Sequence, residues 1–217
     1  MSGAIKSEVR PVESFDKITL KGFGDLEITQ ADAESLVVEA DEDTLGRVKS
    51  TIKEGVLVLN QDFDWLRLLI PRPPLKFRVT VKNLRGISVS GSGKVNVGDV
   101  KTDVLEIRIS GAADIAVSGL VADSLELATN GAGNCKVGGG KATKQKMVLN
   151  GAGHFESPGL EGENVSVRIS GAGSATVWAK ETLEARISGA GNISYFGSPK
   201  LTTSISGFGD LKHLGDK

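Results

Sequence analysis

From Leu105 onward, apolar and polar residues alternate with a period of two, and the alternation breaks at fixed intervals on a short glycine-containing corner. A period of two predicts strands buried on one face, whereas a helix would bring its apolar residues back every three or four positions. Three inward columns precede the corners. The first is Leu105, Leu125, Gln145, Val165, Leu183 and Leu201, the second runs from Ile107 to Thr203, and the third from Ile109 to Ile205. Two more follow the corners, one containing Val95, Ile115, Cys135 and Phe155, the other Val97, Val117 and Val137. Between them stand charged or small residues such as Glu106, Arg108, Lys146, Arg168 and Arg186. One face is therefore expected to be core and the other wet.

The corners read SGSG, SGAA, NGAG, NGAG, SGAG, SGAG and SGFG, and their first glycines fall at 91, 111, 131, 151, 171, 189 and 207, in steps of 20, 20, 20, 20, 18 and 18 residues. Such a unit is too short for a propeller blade of roughly 40 residues or more, but it suits one coil of a parallel β-helix in which each turn lies on the last. Glycine then marks the place where the backbone bends or approaches its neighbour. An earlier GFGDL at Gly22 repeats the GFGDL at Gly207, so these two predict the first and last of eight corners. Phe23 and Phe208 replace the usual Ser or Ala, as expected if a terminal coil has only one neighbour to crowd it.

Residues 84–211 are thus predicted to be regular coils of about 18–20 residues, with 212–217 as a tail. Residues 1–83 alternate less strictly and are expected to be irregular early coils of longer perimeter. Within them, about 61–76 reads QDFDWLRLLIPRPPLK, where three prolines forbid interior strand pairing. That segment is expected to project as a loop or cap. No linker separates these parts, so 1–217 is read as one domain.

Charge and composition narrow the function. The chain carries 26 Lys and Arg against 27 Asp and Glu, without the basic excess of a nucleic-acid binder. No apolar run reaches the roughly 18 residues of a membrane span, and MSGAIKSEVR lacks the apolar middle of a secretion signal. With 217 residues, 39% of them apolar, there is material for a sizeable core.

Candidate chemistry is sparse. Cys135 lies in an inward column and is expected to be a buried, inert thiol. His154 occupies the post-corner position shared by Asp114, Asn134, Ser174, Asn192 and Asp210, with no general-base partner evident in sequence. Asp25, Asp114 and Asp210 are weak metal candidates, because Ca²⁺ needs six to eight oxygens and acids recur at few corners; Asp and Asn as turn formers are the favoured reading. GGGKAT at Gly138 fails as a phosphate loop, with Cys135 and Ala142 where Gly and Ser or Thr belong. Glycoside chemistry would need clustered acids beside basic or aromatic subsites, and the outer positions are Ser, Ala and Asn instead. No catalytic residue and no cofactor is expected. Asn164-Val165-Ser166 and Asn192-Ile193-Ser194 fit a glycosylation sequon by chance.

Two surfaces remain. Ser110, Asn130, Asn150, Ser170, Ser188 and Ser206 are expected to form a flat outward ladder, either a docking face or simply the small residues that crowded corners admit. Trp65, Leu66, Leu68, Leu69 and Ile70 form an apolar cluster, either a lid over an open coil end or a partner contact, and Phe23 and Phe208 are further candidates for an interaction surface.

The opening RPVESFDKITLKGFGDLEITQ, then SLVVEADEDTLGRVKSTIKEGVLVLN and the train of SGAG or NGAG corners, resembles the bacterial family named putative auto-transporter adhesin, head GIN domain, also called DUF2807. The resemblance runs from about Arg10 to Leu211; Ala113 and the Pro-rich segment depart from it. It implies a right-handed parallel β-helix exported to the cell envelope, after removal of an N-terminal signal not contained in this sequence, and it supplies no catalytic residues. The expected function is a non-enzymatic surface protein or interaction scaffold that contacts an unknown protein or glycan. The alternative is a self-associating structural β-helix, and a polysaccharide-active enzyme ranks third.

Overall fold

The structure, a computed structural model, describes residues 4–61 and 75–217. Its strands belong to one sheet wound into stacked coils. From the middle of the chain to its end these are β8 (Gly86–Ile109), β9 (Ala112–Thr129), β10 (Asn134–Val137), β11 (Gly140–Leu149), β12 (His154–Ile169), β13 (Ser174–Ile187), β14 (Asn192–Phe196), β15 (Lys200–Ile205) and β16 (Asp210–His213). Every pairing among them is parallel, and the expected columns fall in register: Leu105 on Leu125, Leu125 on Gln145, Gln145 on Val165, Val165 on Leu183 and Leu183 on Leu201. The chain is a β-solenoid, as the repeat spacing predicts.

Burial explains why the register holds. Leu105, Ile107, Ile109, Leu149, Val167 and Ile169 are all fully enclosed, while Arg168 and Arg186 between them are exposed. A slip by one residue would exchange these two sets, and each buried aliphatic side chain contributes about 1.5–3 kcal/mol against that exchange. Three buried positions of the regular coils break the apolar rule: Ser157, whose hydroxyl donates to Thr176 O at 3.3 Å, Gln145 and Thr129. Gln145 donates to the carbonyls of Ala142 and Leu160 at 3.4 and 3.3 Å, but its Oε1 has no partner among the described residues, and neither has Thr129 Oγ1.

The corners are held by backbone contact between coils. Ala132 N–H donates to Gly111 O, Ala152 to Gly131, Ala172 to Gly151 and Ala190 to Gly171, at 3.0–3.1 Å. A Cβ on the first glycine of a corner would overlap the carbonyl oxygen of the glycine one coil earlier, all the way from Gly91 over Gly22 to Gly207 over Gly189. At the second glycine the obstacle varies: a Cβ on Gly153 or Gly173 would again meet the carbonyl oxygen of the glycine one coil earlier, at 2.5 and 2.4 Å, whereas one on Gly133 would stand 2.6 Å from Ile109 Cγ2 and one on Gly191 2.6 Å from Ile169 Cγ2. Ala113 fits without glycine and is buried.

The N-terminal third is less regular, as expected, and it includes antiparallel strands that the alternation did not indicate. It contains β1 (Lys6–Arg10), β2 (Lys17–Phe23), β3 (Asp25–Gln30), β4 (Ser35–Ala40), the short helix α1 (Glu42–Leu45, capped by Asp41), β5 (Val48–Lys53), β6 (Val56–Gln61) and β7 (Lys76–Val81). β2 and β3 lie parallel on β8, and β6 and β7 lie parallel on β2 and β3. The coil that follows in space runs backwards: β4 is antiparallel to β7 and β5 to β6, and β1 closes the edge antiparallel to β4. Arg10 fastens this end through Val48 O at 2.6 Å and Leu45 O at 3.0 Å.

Gly22 is therefore not at the start of the stack. The coil of β6 and β7 lies beyond it, with Gln61 O 3.4 Å from where a Gly22 Cβ would be. Phe23 is tolerated for a different reason from the expected one: its coil has neighbours on both sides and its side chain turns outward, 38% exposed. Phe208, 94% exposed on the last coil, fits the original reason. Lys21 and Asp25, on either side of Gly22 to Gly24, have Asn60 and Lys76 as their register partners.

Candidate functional site

A residue between two inward columns must point out, and the predicted outward positions do so. Ser110, Asn130, Asn150, Ser170, Ser188 and Ser206 are all exposed along the corners, and Asn150 Nδ2 donates to Asn130 Oδ1 at 2.9 Å. Beside this ladder runs the post-corner one, Lys94, Asp114, Asn134, His154, Ser174, Asn192 and Asp210, each in register with the next. Here polar side chains join coil to coil. Asn134 Nδ2 donates to Asp114 Oδ1 at 2.8 Å, His154 Nδ1 lies 2.7 Å from Ser174 Oγ, and Asn192 Oδ1 accepts the Asp210 amide at 3.1 Å.

Part of this face is hollow. Small Ala116 lies between the longer side chains of Lys94, Asn134, Lys136, His154 and Glu156, leaving an open depression of about 450 Å³ whose floor includes Ile115 and Cys135. Cys135 itself is buried, and burial pushes its thiol up to about 12, so it stays protonated and unreactive. The depression offers hydrogen-bond donors and acceptors of both charge signs on a rigid floor.

A hydroxyl against an imidazole is also the first element of a nucleophilic site, and strand alternation alone did not bring Ser174 to His154; only the coil register does. Among the described residues, no carboxylate or carbonyl orients the other ring nitrogen of His154. The pair stands on an open face, as a ladder contact.

The acids singled out from sequence are spread along the stack. Asp25 accepts the Lys94 amide at 3.2 Å, Asp114 is bonded to Asn134, and Asp210 accepts the Leu211 amide at 2.9 Å, which is how turn-forming carboxylates behave. Among the described residues no three His, Cys, Asp or Glu side chains converge as metal ligands. Lys141 is the shifted charge on a neighbouring face, raised by its hydrogen bond to Glu163 at 2.9 Å. The apolar cluster Trp65, Leu66, Leu68, Leu69 and Ile70 lies outside the described residues.

A stacked β-solenoid with flat polar ladders defines a class of repeat proteins that display rigid surfaces. The sequence profile described as putative auto-transporter adhesin, head GIN domain, matches residues 14–199, and the chain belongs to that family. It is similar in structure to a putative adhesin from Bacteroides fragilis, with 25% identity, 98% of each chain covered and a TM-score of 0.88. It shares its fold with a putative adhesin from Parabacteroides distasonis (22% identity, 98% of each chain, TM-score 0.75) and with a putative lipid binding protein from the same species (21% identity, 98% and 97% covered, TM-score 0.76). No protein of curated function matches the chain. No described helix is long and apolar enough to cross a membrane.

Proposed function

We propose that the protein is a non-enzymatic component of the bacterial cell envelope that adheres through its post-corner face, with a glycan as the ligand class that best suits the depression. One observation carries this reading: Asp114, Asn134, His154 and Ser174 stand in register on consecutive coils, so their polar groups repeat at the roughly 4.8 Å spacing of paired strands. A polyhydroxylated ligand meets such a row with many modest hydrogen bonds and no large charge term. Rigidity helps, because a preformed face loses little freedom on binding. Envelope placement rests on the family's adhesin description.

An array of bacterial and host glycans and envelope proteins tests the reading with the purified chain. Binding to a glycan class, weakened about tenfold or more by Asn134→Ala with His154→Ala, is expected, since each factor of ten is about 1.4 kcal/mol. If the chain bound nothing on the array, or bound equally well with both side chains removed, this face would not be the adhesive one. The uncovered C-terminal rim favours self-association as a second reading.

A further inference from the structure

The two ends of the stack are finished differently. The N-terminal end carries a reversed coil, α1 and the Arg10 clasp. At the C-terminal end β15 pairs only with β13 and β16 only with β14, and no described strand takes their other edges. Leu201 and Ile205 continue inward columns that are buried in the preceding coil, yet they are 41% and 44% exposed, and Leu214 is 39% exposed.

Local bonding gives the direction of the free backbone groups. Leu214 N–H donates back to Tyr195 O at 2.8 Å, so by alternation Lys212 also faces β14, while Leu211 and His213 turn N–H and C=O towards the open edge. The Leu211 amide is held there only by the carboxylate of its own neighbour, Asp210.

We propose that this edge pairs with the same edge of a second copy, antiparallel about a two-fold axis at Leu211, joining two solenoids end to end. In that register Leu211 faces Leu211 as a hydrogen-bonded pair, and its amide exchanges the Asp210 carboxylate for the partner's carbonyl. Asp210 of each copy then faces Lys212 of the other, and Phe208 faces Leu214. Centring the axis on Asp210 sets aspartate against aspartate, and centring it on Lys212 sets lysine against lysine. A one-residue slip turns outward side chains onto inward ones. Charges on an edge strand normally repel foreign strands. Here their order, Asp-Leu-Lys, makes the edge complementary to itself. Because the contact is isologous it closes at two copies.

Sedimentation velocity and light scattering on the full chain, from about 1 µM to about 1 mM, test the proposal. The parent is expected to approach twice the chain mass and no more. Asp210→Lys or Lys212→Asp alone places like charges opposite each other and should weaken the dimer by about tenfold or more. The double variant Asp210→Lys with Lys212→Asp restores opposite pairs and should return the dimer to within about threefold of the parent. Both side chains are exposed, so melting temperature and near-ultraviolet circular dichroism should hold steady across the set. A parent monomeric throughout the range overturns the proposal, as does mass that climbs beyond two copies. So does a dimer indifferent to the single changes or not rescued by the double one. The proposal does not rest on the adhesive face: a strict monomer that still binds glycans would remove it alone.

Discussion

A methyl group on the Cα of Gly131 would overlap the carbonyl oxygen of Gly111, one coil earlier. That oxygen is also the acceptor of the Ala132 amide at 3.1 Å, so the collision and the bond that holds the corner occupy the same place. Gly131→Ala should therefore destabilise the protein by about 3 kcal/mol, because neither coil can retreat without losing its pairing. The ordinary effect of Gly→Ala has the opposite sign, about 0.4–1 kcal/mol of stabilisation through the unfolded chain. Denaturant midpoints decide between them, with Ala132→Ser on the exposed neighbour as a control expected to stay within about 0.5 kcal/mol.

Ile169 and Arg168 are adjacent in sequence and opposite in environment, the first fully buried and the second exposed. Ile169→Asp should cost about 4 kcal/mol or more by enclosing an unpaired carboxylate, whereas Arg168→Ala should cost less than about 0.5 kcal/mol. Thermal unfolding of the two variants checks this. Equal melting temperatures for Ile169→Asp and the parent would contradict the inward column.

Gln145 interrupts a column otherwise filled by Leu and Val, with its Oε1 unpartnered. Its two donor contacts are long, at 3.3 and 3.4 Å, and a buried acceptor without a partner costs about 1–3 kcal/mol. Gln145→Leu is therefore expected to raise stability by about 1 kcal/mol. A fall in the urea midpoint would mean that the amide's bonds to Ala142 and Leu160 outweigh its orphaned oxygen.

Cys135 sets a dependence on alkaline pH. Its folded pKa, pushed up from 9.0 to about 12 by desolvation, lies above that of the unfolded chain. Folding thus favours the neutral thiol, so this contribution is complete below about pH 9 and is lost as pH rises towards about 12. Unfolding curves at pH 8 and pH 11 should show a larger loss for the parent than for Cys135→Ala. Thiol reagents at pH 8 should react only as fast as the chain opens.

The regular coils were legible because period and repeat agree: alternation sets which side chains face in, and the 18–20-residue step sets what stacks on what. Cys135 between Ile115 and Phe155 follows from those two facts alone. Strand direction did not follow. Val37 and Val38 alternate as well in a strand that runs backwards as in one that runs forwards, since a period of two carries no polarity, and so the reversed coil of β4 and β5 was missed. Gly22 was placed at the start of the stack for another reason: the coils were expected to stack in chain order, whereas β6 and β7, later in the chain, lie on β2 and β3. At the candidate site, outward ladders were readable residue by residue. The hollow above Ala116 was not, because it arises from side-chain lengths on four successive coils rather than from any one motif.

Fifteen residues of sequence, 61 to 75, separate Asn60 from Lys76, where three, 22 to 24, separate their partners Lys21 and Asp25, yet the strands on both sides keep the same alignment. The fold thus separates a part that keeps time from a part that is free to vary. Chain can be spliced in at a corner at the modest entropy of a longer loop, which grows only with the logarithm of its length. New sequence, natural or grafted, can be carried there without retuning the coils that hold it.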